Sequence, residues 1–249
     1  SRKIESGFIF AALPGRKTNG RDFVEQAINA GAVAVLVPEG TDAGSDSVAV
    51  LKSGNVRKDT AHIVSAFYKE QPDTIVAVTG TNGKTSIANF VRQIWQELEY
   101  KAASLGTIGL QIGDHLFAGT LTTPDPVSLH KYVSDAGKNE VTHLAVEASS
   151  HGLDQYRLDG LELDAAGFTN LTHDHLDYHE TFDNYRAAKA RLFEELLPSG
   201  KIAVLNADSV EFAHFHGICV NRGHDVVSYG YKGDDFRILE RFPQPKGQD

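Results

Sequence analysis

The chain has 249 residues, 41% hydrophobic and 23% charged, so it holds enough apolar material for a core and disorder is excluded as its dominant state. With 24 basic against 33 acidic residues the net charge is −9, which argues against a general nucleic-acid partner because no cation surplus offsets a phosphate backbone. The one cysteine, Cys219, excludes an intramolecular disulfide framework and a CxxC metal site, and fits a reducing compartment.

The longest purely apolar stretch, near residues 32–37, is far too short to cross a bilayer, and residues 1–20 show no signal peptide; a cytoplasmic, monomeric protein without a membrane partner is expected. There is no methionine, so the chain reads as a piece of a longer one.

In chain order, the apolar run 7–13 meets the turn signal Pro14-Gly15. Residues 22–30 have helical spacing, with Phe23, Ala27 and Ala30 on one face and Gly31 as a stop. Two short β-rich runs follow at 32–37 and 47–52, and Asn55 can cap a helix reaching about Glu70, with Pro72 as boundary. Residues 1–72 thus form a small N-terminal α/β domain.

Residues 73–249 form a second, central domain. It opens with TIVAVTG (74–80), a continuous apolar strand of the kind buried on both faces of a parallel sheet. The next helix places Ile87, Phe90, Val91, Ile94, Trp95 and Leu98 on one stripe. Further strands are expected at 142–149, 165–171, 201–207 and 226–230, with a helix over 184–197. Strands alternating with helices imply an α/β fold with a mostly parallel, doubly wound sheet.

Residues 78–86, Val-Thr-Gly-Thr-Asn-Gly-Lys-Thr-Ser, join that strand to that helix, the setting a phosphate-binding loop requires. Gly80 and Gly83 let the backbone turn its amides toward an anion, with Thr81, Asn82 and Ser86 completing the loop. Lys84 can reach the terminal phosphates, and Thr85 offers a hydroxyl to Mg²⁺. The strict GxxxxGK[ST] pattern would need glycine where Val78 stands, so the loop is a shorter variant. Asp164–Gly167 spells DxxG but no NKxD guanine reader occurs, which favours ATP.

Glu147 ends the strand 142–149, on the rim where open α/β sheets collect ligands, and suits a metal-ligand role. Residues 173–179, His-Asp-His-Leu-Asp-Tyr-His, follow another strand and suggest a metal site, with His175 as the strongest candidate. A metallo-β-lactamase-like HxHxDH reading fits His173, His175 and Asp177, but Tyr178 stands where the next histidine belongs. Lys189 sits at the edge of a buried stripe formed by Tyr185, Ala188, Leu192 and Leu196, where spacing alone favours an ordinary helix lysine.

Taken in order, TGTNGKTS (79–86), LTTPDP (121–126), EASSHGLDQYR (147–157), TNLTHDHLDYH (169–179) and YRAAKARLF (185–193) resemble the Mur ligases, most of all their MurE-type branch. Residues 1–23 also resemble the N-terminal domain of that branch. The resemblance implies a UDP-binding N-terminal domain, a central ATPase domain, and a C-terminal Rossmann-like domain that this sequence does not include. It implies phosphorylation of the free carboxylate of UDP-MurNAc-L-Ala-D-Glu by ATP with Mg²⁺. The amine of a diamino acid, meso-diaminopimelate or L-lysine, then attacks the acyl phosphate.

By the same resemblance Lys84 stabilises the transferring phosphoryl group. Thr85, Glu147, His175 and Lys189 (as a carbamate) serve the metal ions. Thr122, Thr123, Ser149, Gln155 and Arg157 contact the muramoyl-peptide, and Ser1, Arg16 and Lys17 border the uracil nucleotide. Ligation by this piece alone is not expected. The rival readings are a non-catalytic nucleotide- or UDP-sugar-binding fragment, a folylpolyglutamate-synthase-like ligase, and a metallohydrolase built on residues 173–179.

Overall fold

The computed structural model describes residues 4–15, 18–42, 47–119, 121–244 and 247–248. The expected nucleotide-border residues Ser1, Arg16 and Lys17 lie outside the described residues. The chain divides into two compact units, Ser1–Phe67 and Tyr68–Asp249.

In the first unit, β1 (Ile9–Ala11), β2 (Ala34–Pro38) and β3 (Ala49–Ser53) form a parallel sheet in the order β1-β2-β3. Phe10, Val35 and Val37 are buried against Val24 and Ala27 of α1 (Val24–Asn29). Ala27 is buried as expected and Phe23 packs partly buried against the same core, whereas Val24 is buried and Ala30 is exposed. A 3-10 turn over Gly20–Phe23 leads into this helix. Asn55 caps α2 (Val56–Tyr68) by accepting the Lys58 amide at 3.1 Å. The helix ends before Glu70, at Lys69, whose φ of +59° is left-handed.

The second unit is built on nine strands in the order β12-β11-β10-β9-β4-β8-β5-β6-β7. These are β4 (Thr74–Thr79), β5 (Ala102–Gly106), β6 (Gly109–Ile112), β7 (His115–Phe117), β8 (His143–Glu147), β9 (Ala165–Phe168), β10 (Ile202–Asn206), β11 (Asp225–Gly230) and β12 (Phe236–Arg237). All pairings are parallel except β5–β6 and β6–β7. That antiparallel hairpin has no counterpart among the strands expected from sequence.

Ile75, Leu144, Val146, Phe168 and Leu205 anchor the core, where the Phe168 and Phe215 rings stack at 4.0 Å. Burial of each large apolar side chain contributes about 1.5–3 kcal/mol. The helices are α3 (Lys84–Glu97), α4 (Pro126–Lys138), α5 (Ser150–Asp154), α6 (Leu176–His179), α7 (Phe182–Arg191) and α8 (Phe212–Asn221). A π-helical turn over Leu192–Leu196 extends α7, so the helix expected over 184–197 is there with a wider last turn. No described helix is long and apolar enough to cross a membrane.

α3 departs from its expected packing. Ala88 and Arg92 are its buried residues, whereas Phe90, Ile94 and Leu98 are 59%, 58% and 61% exposed. Helical periodicity aligns apolar residues on one side; it does not supply the surface that covers them. Ile87 and Val91 instead border an apolar groove of about 280 Å³ with Val78, Gly167, Val204 and Tyr229 on one face of the sheet.

Candidate active site

The site lies at the carboxyl ends of β4, β5, β8 and β9, where parallel strands deliver their following loops to one rim. β4 passes into the phosphate-type loop through Gly80, at φ +149°, and Gly83, at φ +89°. A Cβ at Gly80 would sit 1.9 Å from Thr169 Oγ1, so the approach of β9's end requires glycine there.

The segment after β9 clamps the loop. Thr81 N donates to Asn170 O at 2.9 Å, and Asn82 N to Asn170 Oδ1 at 3.0 Å. Thr169 Oγ1 donates to Asn82 O at 2.7 Å, and Thr172 N to Thr81 Oγ1 at 2.9 Å. The amides of Thr81 and Asn82 therefore face Asn170. The end of the loop that suits an anion is the α3 N-terminus at Gly83, Lys84 and Thr85, where amides lack intrahelical carbonyl partners. Ser86 lies in the same first turn and is exposed.

Lys84 Nζ donates to Gly80 O and Thr81 O, each at 2.8 Å. Burial lowers its pKa, and the carboxylates of Glu147 and Asp174 oppose that shift. Lys189 reaches the same carbonyl: its Nζ donates to Gly80 O at 2.8 Å and lies 4.7 Å from the Tyr185 ring centre. It is not at the edge of a stripe but is 1% exposed. Alanines on α7 let the chain close around it, and burial beside Lys84 pushes its pKa well below the ordinary lysine value.

Glu147, 1% exposed, closes β8. Thr85 Oγ1 donates to its Oε2 at 2.8 Å, and Thr107 N to its Oε1 at 2.8 Å. A carboxylate joined by a loop hydroxyl is an oxygen donor set that suits a hard divalent cation. Thr122 is tied in through Thr107 Oγ1, 3.0 Å from Thr122 Oγ1. Its loop is held because Asp125 caps α4, accepting from Val127 N and Ser128 N, with Pro126 at the first helical position.

Thr123 is a strut. It is 1% exposed, donates to Glu147 O at 2.8 Å and accepts from Ser149 N at 3.0 Å and Ser149 Oγ at 2.9 Å. Ser149 also caps α5 through Gly152 N at 3.0 Å. Arg157 donates to Thr123 O at 2.6 Å and to Gln155 Oε1 at 2.8 Å. Gln155 Nε2 donates to Tyr178 OH at 2.9 Å, which donates to Asp154 Oδ2 at 2.7 Å. All five expected peptide contacts thus share one network.

Of the three histidines of 173–179, His175 and buried His179 both border the His151 ring (4.9 and 5.5 Å) and the Tyr185 ring (6.2 and 5.3 Å), whereas His173 lies apart by the Phe182 ring (5.1 Å). Among the described residues no three histidine, cysteine or carboxylate groups are grouped to hold a metal. The metallohydrolase reading therefore lacks its ligand set. His175 has a left-handed backbone, φ +53°, that presents its ring outward beside the loop. His179 has its pKa lowered to about 4, chiefly by burial, and its Nε2 has no hydrogen-bond partner.

Sequence reasoning missed Gly106, Thr107, Thr169, Asn170, Tyr178 and Tyr185. Asn170 carried a signal, a small polar residue two positions past a buried strand on the ligand rim. Thr107 carried none, because its strand had not been recognised.

The family model described as "Mur ligase middle domain" matches residues 78–247, and "Mur ligase family, catalytic domain" matches residues 1–77. The chain is 50% identical over 255 residues to the UDP-N-acetylmuramoyl-L-alanyl-D-glutamate–2,6-diaminopimelate ligase of Caulobacter vibrioides, covering 100% of this chain and 52% of that protein. It is 48% identical to the ligase of the same name from Bradyrhizobium diazoefficiens, covering 94% of this chain and 48% of that one. A solved structure of a ligase of that name superposes with a TM-score of 0.86 at 32% identity, covering 99% of this chain and 51% of that one. The chain thus spans about half the length of the curated relatives it matches. With both of its units matched by models of one family, the chain belongs to the Mur ligase family.

Proposed function

We propose that this chain is the nucleotide- and muramoyl-peptide-binding part of an ATP-dependent ligase. Its reaction joins a diamino acid to UDP-MurNAc-L-Ala-D-Glu through an acyl phosphate, releasing ADP and phosphate. The names of the similar ligases favour 2,6-diaminopimelate over L-lysine. The observation that carries the reading is the meeting of two lysines on Gly80 O with a buried carboxylate that links Thr85 to the Thr122 loop.

The chemistry follows from charge. An ATP γ-phosphate and a carboxylate nucleophile repel each other, so the site must supply cations and amides in fixed positions. The α3 N-terminus receives the phosphates, and Lys84 swings from its carbonyl partners onto the transferring group. Thr85 and Glu147 would hold Mg²⁺, which supplies charge neutralisation across the phosphate oxygens. His175 and Lys189 would hold a second cation. Burial lowers the Lys189 pKa and so favours the neutral amine, which can add CO₂ with loss of a proton to give a carbamate, an anionic oxygen donor where an ammonium would repel a cation. Arg157, with its planar fork, reads a carboxylate of the peptide alongside Gln155.

Calorimetric titration of UDP-MurNAc-L-Ala-D-Glu into the chain tests the reading, with UDP as control. Saturable binding that weakens on Arg157→Ala supports it. Absence of binding by a folded sample, together with absence of ATP binding, overturns it.

A further inference from the structure

We propose that Thr107, in the clearance left by Gly106, is the positioning residue that orients the Glu147 carboxylate for its cation and couples it to the Thr122 loop. The inference rests on the ATP- and Mg²⁺-using reading above.

A carboxylate with 1% exposure is costly to bury unless donors surround it. Among the described residues, three donors from two residues meet the Glu147 carboxylate. Thr85 Oγ1 reaches only Oε2, at 2.8 Å. Thr107 reaches both oxygens: its amide donates to Oε1 at 2.8 Å and its hydroxyl to Oε2 at 3.2 Å. Two donors from one residue on two oxygens of one carboxylate fix its plane, which a single donor leaves free to rotate.

Gly106 makes this possible. A Cβ there would lie 1.9 Å from Glu147 Oε1 and 2.4 Å from its Cδ, so the carboxylate occupies the space a side chain would take. The φ of Gly106 is not in the left-handed region, so the need for glycine is steric alone.

The Thr107 hydroxyl also lies 3.0 Å from Thr122 Oγ1 and 3.4 Å from Thr85 Oγ1. A hydroxyl carries one proton, so it donates to Glu147 or to Thr122 but not to both. Thr107 thereby joins the phosphate loop's side of the site to the peptide loop through one rotor.

The test uses Mn²⁺ as the cation and ADP as the nucleotide, with the whole chain. Mn²⁺ binding is read by electron paramagnetic resonance in the presence of ADP, and ADP binding by calorimetry in chelator. Loss of an outer partner of a metal ligand weakens metal binding about 10–100-fold. Thr107→Val, which keeps the shape and removes the hydroxyl, is expected to weaken Mn²⁺ at the low end of that range, about tenfold. Its metal-free ADP affinity stays at the unsubstituted value, while the lost bond to a buried carboxylate lowers its melting temperature. Thr107→Ser is expected to restore Mn²⁺ binding.

A merely structural role would weaken metal-free ADP binding along with Mn²⁺ binding. Thr107→Val with unchanged Mn²⁺ affinity, or Thr107→Ser no better than Thr107→Val, overturns the proposal while leaving the ATPase reading intact. Failure of the unsubstituted, folded chain to bind ADP at all overturns that reading, and this inference with it.

Discussion

Arg191→Met should unfold the chain's second unit more readily than any surface change. Arg191 and Asp159 have side chains only 8% and 2% exposed, and Arg191 NH2 meets Asp159 Oδ1 at 2.6 Å. Arg191 also donates to Leu153 O at 2.8 Å and stacks 4.0 Å over the Tyr156 ring. Asp159 Oδ2 already lacks a partner, so removing the guanidinium leaves a buried carboxylate without compensation. Breaking one side of such a pair costs about 3–5 kcal/mol, which for a unit of this size lowers the melting temperature by roughly 10 °C. Combining Arg191→Met with Asp159→Leu removes both charges and should recover most of the loss. Urea unfolding followed by circular dichroism measures both variants. A single-variant cost below about 1 kcal/mol, or a double variant no more stable than the single, would refute the reasoning.

Three further outcomes are expected. Lys84→Ala should weaken ATP at least about tenfold, read by calorimetry with Mg²⁺ present, if the side chain poised on Gly80 O turns to the phosphates as proposed. His179 titrates near 6.5 when unfolded but about 4 in the fold, so the unfolded chain binds more protons between these values. Stability therefore falls as pH drops from about 6.5 to about 4, and His179→Phe should flatten that part of a pH series of urea midpoints. Carbon-13 bicarbonate should give a carbamate resonance that disappears in Lys189→Arg; a signal that survives the substitution belongs to another amine.

Local signals made the frame legible. β4 and β8 are continuous apolar runs, and buried parallel strands have that pattern wherever they sit. The loop between β4 and α3 was legible because its chemistry is contiguous, from Gly80 to Thr85. Lys189 was not. Spacing put it beside the packed face of α7, whereas its burial depends on Gly80 O, 109 positions away in sequence. The exposed stripe of α3 shows the converse error, a correct period paired with a covering surface that periodicity cannot specify.

The contrast between Glu147 and Thr107 shows where such reading stops. Glu147 could be assigned to the ligand rim because it ends a recognisable strand. Its partner could not, because β5 is short and pairs with a hairpin whose outer strand, His115–Phe117, is wholly exposed and gives no burial pattern. Yet the register is decisive. Leu105 pairs with Val146 across parallel strands, so one step further brings Gly106 beside Glu147 and puts Thr107 at its carboxylate. A carboxylate at a strand end is thus oriented by whatever ends the neighbouring strand. The Gly-Thr step after β5 has the two properties that position demands: no side chain where the carboxylate must lie, then an amide and a hydroxyl to hold it.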